Sequence, residues 1–174
     1  MVLTKESEVY ITFVDEGAGW KNSLGYYTYN LANPPKSIEE LEKHILFQNV
    51  SQVNEGGGLN AGDMLQIGTG KFPANTVIGF YLIAQGWKNG YVDDGRYTHY
   101  TDVQFNPGYH QQHTLFIEKN CNDLVMTFED IDMEDNISYK DYDYNDILFV
   151  ISDNKDPNHQ TANTAFDTSN LPVK

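Results

Sequence analysis

Asp141-Tyr142-Asp143-Tyr144-Asn145 sets an oxygen-bearing side chain at every second position, and Asp146 follows directly. Oxygen donors at that density suit a hard divalent cation, and calcium takes about six to eight of them at a time. These residues close a longer acidic segment. Glu129 to Asp146 holds eight carboxylates (Glu129, Asp130, Asp132, Glu134, Asp135, Asp141, Asp143, Asp146) against one base, Lys140. Like charges about 4 Å apart repel by roughly 4 kcal/mol at an effective dielectric near 20. A folded loop therefore needs cations to hold so many together. The segment is either splayed in solvent or wrapped around divalent ions.

Spacing narrows the geometry. Asp-x-Asp-x-Asn opens an EF-hand loop, but the sixth position, where that loop needs glycine, is Asp146. The twelfth, where it needs a bidentate glutamate, is Ser152, and the intervening Ile-Leu-Phe-Val-Ile is strand material. In an extended chain Asp141, Asp143 and Asn145 share one face while Asp146 points the other way, so one ion collects all four only if the chain turns, and otherwise two neighbouring ions are expected. Asp130, Asp132 and Glu134 form a second alternating set. Val92-Asp93-Asp94-Gly95 is a smaller acidic turn, which by itself reads more readily as a type I turn than as a ligand set. Asp102, Asp63, Asp15 and Glu16 are isolated acids.

Other chemistries find less support. Of the histidines (His44, His99, His110, His113, His159), only His110-x-x-His113 has a zinc-like spacing, and no second metal-binding pair accompanies it. The chain has no Gly-x-Ser-x-Gly, no His-Glu-x-x-His and no phosphate-cradling loop, since Gly56-Gly57-Gly58 lacks the Lys-Ser/Thr that would follow. No enzyme is expected. Trp20, Trp87 and Tyr91 fall in predicted loops, either as a ligand-binding rim or as packing over the ends of the sheets. Asn22, beside Trp20, joins them as a ligand-binding candidate.

The elements that must position these residues are strands. Val9–Val14, Leu24–Asn30, Met64–Ile67, Thr76–Ala84, His113–Glu118, Leu124–Phe128 and Ile147–Ser152 are rich in β-branched and aromatic residues. Thr76–Ala84 is apolar on both faces, so it should be a central, doubly buried strand. Tyr97–Phe105 alternates weakly. Asn49–Asp63 and Gly68–Pro73 read as loop and turn, and Asn89-Gly90 as the turn of a small hairpin. Ser37 with Glu40 has capping-box spacing, and Ile38, Leu41 and Ile45 recur at helical intervals, predicting a two-turn helix near 38–45. The expectation is an all-β fold: an antiparallel, jelly-roll-like β-sandwich with one short helix and long calcium-binding loops. Residues 1–152 form the domain, and 153–174 form a tail or linker able to pack on it.

The totals agree. A net charge of −14 repels nucleic acid and anionic membranes. Cys121 is the one cysteine, so no intrachain disulfide forms, which leaves a reducing cytosol or an exterior where calcium staples the fold in place of cystine. The first residues do not have the pattern of a signal peptide, and no stretch of about 18 apolar residues exists to insert in a membrane.

Several stretches, in this order, carry a resemblance: Trp20-Lys21-Asn22-Ser23-Leu24-Gly25-Tyr26-Tyr27, Gly57-Gly58-Leu59-Asn60-Ala61-Gly62-Asp63, Phe72 to Ala84, and Phe128-Glu129-Asp130 followed by Asp141 to Asp146. Together, over roughly residues 9 to 152, they resemble a bacterial domain family found in very large secreted proteins and repeats-in-toxin (RTX) adhesins. Within it the chain looks most like the calcium-dependent peptide-binding domain of those adhesins. The resemblance implies a monomeric calcium-bound sandwich within a larger chain, displayed outside the cell and active in adhesion and biofilm formation. It implies several calcium ions on Glu129, Asp130, Asp141, Asp143, Asn145 and Asp146, with Asp93, Asp94 and Asp102 as further ligands. The partner it implies is the free C-terminal end of a peptide or protein on a host or partner cell. A terminal carboxylate can complete an open calcium coordination sphere, and N–H groups of glycine turns can cap it. The chain departs from the family between Asp130 and Asp141, where many relatives have a short Gly-Gly-Asp step and this sequence has Ile131 to Lys140 with three extra acids. A calcium-dependent carbohydrate-binding module and a calcium-rigidified spacer are the alternatives.

Overall fold

A computed structural model of the chain describes residues 1–174 except Ile137, Tyr139, Lys140 and residues 156–162. Lys140 and His159 therefore lie outside the described residues. Strand-forming side chains dominate, and the described residues build eleven strands. These are β1 (Ser7–Asp15), β2 (Ser23–Asn30), β3 (His44–Phe47), β4 (Met64–Phe72), β5 (Thr76–Ala84), β6 (Trp87–Lys88), β7 (Tyr91–Val92), β8 (Tyr97–Tyr100), β9 (His113–Ile117), β10 (Leu124–Phe128) and β11 (Ile147–Ser152). Five form one antiparallel sheet in the order β4-β1-β11-β10-β9 and four form a second, β3-β2-β5-β8. The predicted antiparallel β-sandwich is what the chain builds.

The period-two pattern explains the core. On one sheet Val9, Ile11, Phe13, Ile67, Leu124, Met126, Phe128, Ile147, Phe149 and Ile151 turn inward. On the other, Leu24, Tyr26, Phe47, Ile78, Phe80 and Leu82 meet them. Phe149 stacks on Phe47 across the gap at 5.3 Å between centroids and meets Phe13 edge-on at 5.7 Å. Such pairs contribute about 0.5–1.5 kcal/mol each beyond their burial. β5 is central, as its apolar run predicts. Its outward residues Tyr81 and Ile83 sit in a second cluster with Tyr27, Leu41, Tyr100 and Phe105.

The helix expected near 38–45 does not form. Ile38–Glu40 make a single 3-10 turn, Leu41 is already extended, and His44–Phe47 pair with β2 as an edge strand. Ser37 makes no side-chain cap, and Glu40 instead accepts the Lys36 amide at 2.8 Å. A two-turn helix is marginal without tertiary support. Here the single turn already buries Leu41 and packs Ile38 on the tyrosine cluster, while Ile45 is left exposed on the strand. Two smaller expectations also shift. β4 continues through Gly68 to Phe72, where a turn was predicted. The weak alternation of 97–105 resolves into β8 and a 3-10 turn at Val103–Phe105.

The closing segment packs on the sandwich. Ala165 and Phe166 are buried in the main core, Phe166 bridges to Leu3, and Val173 runs parallel to Ile117 on β9. Among the described residues no helix is long and apolar enough to cross a membrane.

Candidate metal centre

Strand register gathers four chain segments at one end of the sandwich. Phe128 pairs with both Ile147 and His113, Asp15 with Leu148, Ser23 with Ile83, and Ala84 with Tyr97. The connections beyond those pairs, 129–146, 16–22, 85–96 and 111–112, therefore converge. Glu129 and Asp130 continue directly from β10, so the strand that closes the core carries two carboxylates straight into the loop cluster.

There they are buried: Glu129 is 1% exposed and Asp130 3%. Around them a cavity of about 200 Å³ is lined by Gly17, Gly19, Trp20, Glu129, Asp130, Ile131, Asp141 and Asp146. One carboxylate oxygen each from Glu129, Asp141 and Asp143 lies within 4.8 Å of the others. Calcium–oxygen bonds are about 2.3–2.6 Å, so donors on opposite sides of one ion stand about 4.6–5.2 Å apart. The observed separations fit a shared ion. The donors are all hard oxygens, which favours calcium or magnesium over zinc.

Electrostatics points the same way. Among the described residues no lysine or arginine is ion-paired to Glu129, Asp130, Asp141, Asp143 or Asp146. Buried charges are ordinarily paired or bound to metals, which applies to Glu129 and Asp130, whereas Asp146 is half-buried and Asp141 and Asp143 are exposed. Burial, and then repulsion from Asp146, pushes Glu129 up to about 7. Asp130 and Asp146 are both raised, burial being the largest cause for each. The cavity thus holds acids that resist ionising unless a cation enters.

Neutral groups fix these acids in place. Asn22 Nδ2 donates to Asp130 Oδ2 at 2.7 Å, and its Oδ1 accepts the Gln85 amide at 2.9 Å. The Asp130 amide donates to Asp146 Oδ2 at 2.7 Å. His99 Nε2 donates to the Asp130 carbonyl at 3.1 Å, and Gln112 Nε2 to the Ile131 carbonyl at 2.7 Å. The Glu129 amide donates to Gln112 O at 2.9 Å. Burial lowers the pKa of His99, keeping it a neutral donor. Outer contacts of this kind orient ligands and tune a metal site.

The structure sorts the expected residues. Tyr142 and Tyr144 both have φ of 57°, in the left-handed region that side chains seldom adopt. Asp141–Asp146 is therefore not extended, and the expected split of Asp146 onto the opposite face is corrected. Alternating left-handed residues curl the chain, so Asp141 and Asp146 line one cavity. Each such residue costs about 1–3 kcal/mol and persists where its surroundings impose it. Asn145 donates to Asp143, and a Cβ on Gly17 would lie 2.8 Å from Asn145 Oδ1, so the 16–19 loop can approach because it is glycine there.

The second alternating set disperses. Asp130 stays in the cavity, Asp132 Oδ1 accepts the Glu134 amide at 2.8 Å, and Glu134 faces His110 Nε2 at 3.1 Å. His113 instead packs against Phe128, burial holding its pKa down to about 4, so His110 and His113 do not converge.

Asp93 accepts the Gly95 amide at 2.9 Å and faces Lys88 at 3.9 Å, while Asp94 is exposed. Asp102 is elsewhere: its Oδ2 accepts the hydroxyls of Tyr27 and Tyr29, each at 3.1 Å. Asn22 is fully buried, so it holds Asp130 instead of forming a rim. Trp20 and Trp87, with Lys21, Gln85, Lys88 and Asp93, line a second cavity of about 320 Å³ that shares Gly19 and Trp20 with the acidic one. Trp87 and the 55%-exposed Tyr91 lie on the β6–β7 hairpin, turned by Asn89 and Gly90 as their sequence predicts. Gln112 and Arg96 escaped sequence reading, and His99 stood there only as one histidine among five, because single polar residues in strands and loops carry no spacing signal.

Fold and site together define an all-β sandwich with an acidic cavity at one end. Over residues 72–154 the chain is similar to a family described as a domain of unknown function (DUF4114). That span covers β5 to β11 with the acidic loop, and leaves out Trp20 and Asn22. No curated protein and no solved structure matches the chain.

Proposed function

We propose that this chain is a calcium-dependent ligand-binding module of an extracellular bacterial adhesin, which captures the free C-terminal end of a peptide or protein on another cell. The placement of Glu129, Asp141 and Asp143 within 4.8 Å of one another, beside a cavity that Glu129 and Asp141 line and that shares a wall with the Trp20–Trp87 pocket, carries this reading. Glu129, Asp141 and Asp143 would hold the ion, with Asp130, Asp146 and Asn145 beside them. Bound there, calcium supplies the positive charge that an acidic protein needs in order to attract a carboxylate. Asn22, His99 and Gln112 keep the acids aimed at the cavity, and Trp20 and Trp87 offer apolar surface to the residues preceding the ligand's end. Lys21 and Lys88 add positive charge at that pocket.

The same two indoles, beside Gln85 and Asp93, favour a second reading as a calcium-dependent carbohydrate-binding module, since sugars stack on indole and bond to such polar groups. A titration in millimolar calcium separates the two, using peptides with a free C-terminus, their amidated twins and a glycan panel. Binding of acid but not amide peptides is expected. Equal binding of both forms would sink carboxylate capture, and binding of glycans alone would favour the second reading.

A further inference from the structure

Arg96 joins two features that sequence leaves unconnected. Its backbone is pinned where β5 ends, the amide donating to Ala84 O at 2.8 Å. From there Nη2 reaches Asp135 Oδ2 at 2.7 Å, and Nε donates to the Tyr97 hydroxyl at 2.7 Å. The guanidinium lies 5.6 Å from the Trp20 ring and 5.3 Å from the Tyr97 ring, and those two rings are 6.1 Å apart. Among the described residues no other lysine or arginine is ion-paired to the 129–146 segment.

Asp135 sits midway between Glu129 and Asp141, in the stretch whose two ends supply the cavity's carboxylates. Trp20 is the wall shared by the acidic cavity and the larger pocket. One planar side chain therefore touches the acidic segment on one side and the shared wall on the other. We propose that Arg96 is a positioning residue that couples cation binding in the acidic cavity to the placement of Trp20, and so to the shape of the Trp20–Trp87 pocket. The inference rests on the cation reading of the cavity. Drawing Glu129, Asp141 and Asp143 onto one ion moves the segment that carries Asp135. Arg96 follows through its ion pair and carries the indole beneath it. Lysine cannot replace it, since an ammonium has no flat face to stack and no fork to hold two partners at once.

The chain has two tryptophans, so Trp87→Phe leaves Trp20 as its single indole fluorophore. In that background, calcium chloride is titrated by calorimetry and, in parallel, by tryptophan emission. The parent should show heat and an emission change with the same midpoint. Arg96→Ala and Asp135→Asn should keep calcium affinity within about tenfold yet lose more than about half of the emission change, a coupling loss separate from a binding loss. Arg96→Lys should not restore it. An undiminished emission change in both Arg96→Ala and Asp135→Asn would overturn the coupling. Restoration by lysine, or an affinity loss well beyond tenfold, would overturn it too, by making Arg96 a source of charge or part of the site. Absence of heat together with a melting temperature unmoved by calcium in the parent would instead remove the cation reading itself, and the coupling with it. Circular dichroism identifies any variant that fails to fold, and the other variant then decides.

Discussion

Replacing Glu129 with glutamine tests the cavity's electrostatics without changing its shape. Glu129 is 1% exposed, and its pKa is displaced from 4.5 to about 7, chiefly by burial and then by Asp146. In cation-free protein the folded state keeps a proton that the unfolded chain has released between those values. Stability therefore falls as pH rises from 4.5 to about 7, and the penalty is complete above that. At 1.36 kcal/mol per pH unit it reaches about 3 kcal/mol. Glutamine is neutral at every pH, and its amide oxygen can still accept the long 3.4 Å bond from the Tyr144 amide. In chelator, Glu129→Gln should thus be more stable than the parent by about 2–3 kcal/mol at pH 8 and nearly equal to it at pH 4.5. With calcium at a hundredfold excess over Kd the parent gains about 2.7 kcal/mol, while the variant, short of one ligand, gains less. Urea unfolding at both pH values, with and without calcium, reads these differences as midpoint shifts at constant slope. If glutamine destabilised the chelated protein equally at both pH values, Glu129 would be stabilised as an anion by the protein alone. The case for a cation would then collapse.

Three further outcomes follow from the geometry. Asn22→Ala strips partners from buried Asp130 Oδ2 and the Gln85 amide, and should cost about 2–4 kcal/mol in urea unfolding and weaken calcium binding by about 10- to 100-fold; a loss under about 1 kcal/mol would mean that Asn22 does not hold the site. Gly95 has φ of 59°, and a Cβ there would stand 2.3 Å from the Ala84 carbonyl oxygen. Gly95→Ala should therefore lower stability by about 1–3 kcal/mol, with a shifted tryptophan spectrum, whereas an unchanged melt would show that the 85–96 loop relaxes freely. Phe166→Ala should cost about 3–5 kcal/mol in the same unfolding assay, because Phe166 is 5% exposed within the main core. A cost near zero would make residues 163–174 a detachable tail.

By itself the sequence determines the sandwich, its central strand β5 and the acidic stretch between β10 and β11. Strands announce themselves through period-two alternation, and eight carboxylates in one stretch are visible as charge density. The Asn89-Gly90 hairpin is legible for the same kind of reason, since its turn chemistry is local. The failed helix at 38–45 shows the limit: its spacing fits a helix, but pairing of His44–Phe47 with β2 outweighs local preference. Only the tertiary structure decides which acids meet. Asp146 joins Asp141 because Tyr142 and Tyr144 curl the loop, Asp102 is drawn to Tyr27 and Tyr29, and Asn22 turns inward to Asp130. Those outcomes depend on contacts between residues tens of positions apart, whose geometry is set by strand register and loop curvature. Nothing in residue type or spacing along the chain encodes such contacts locally.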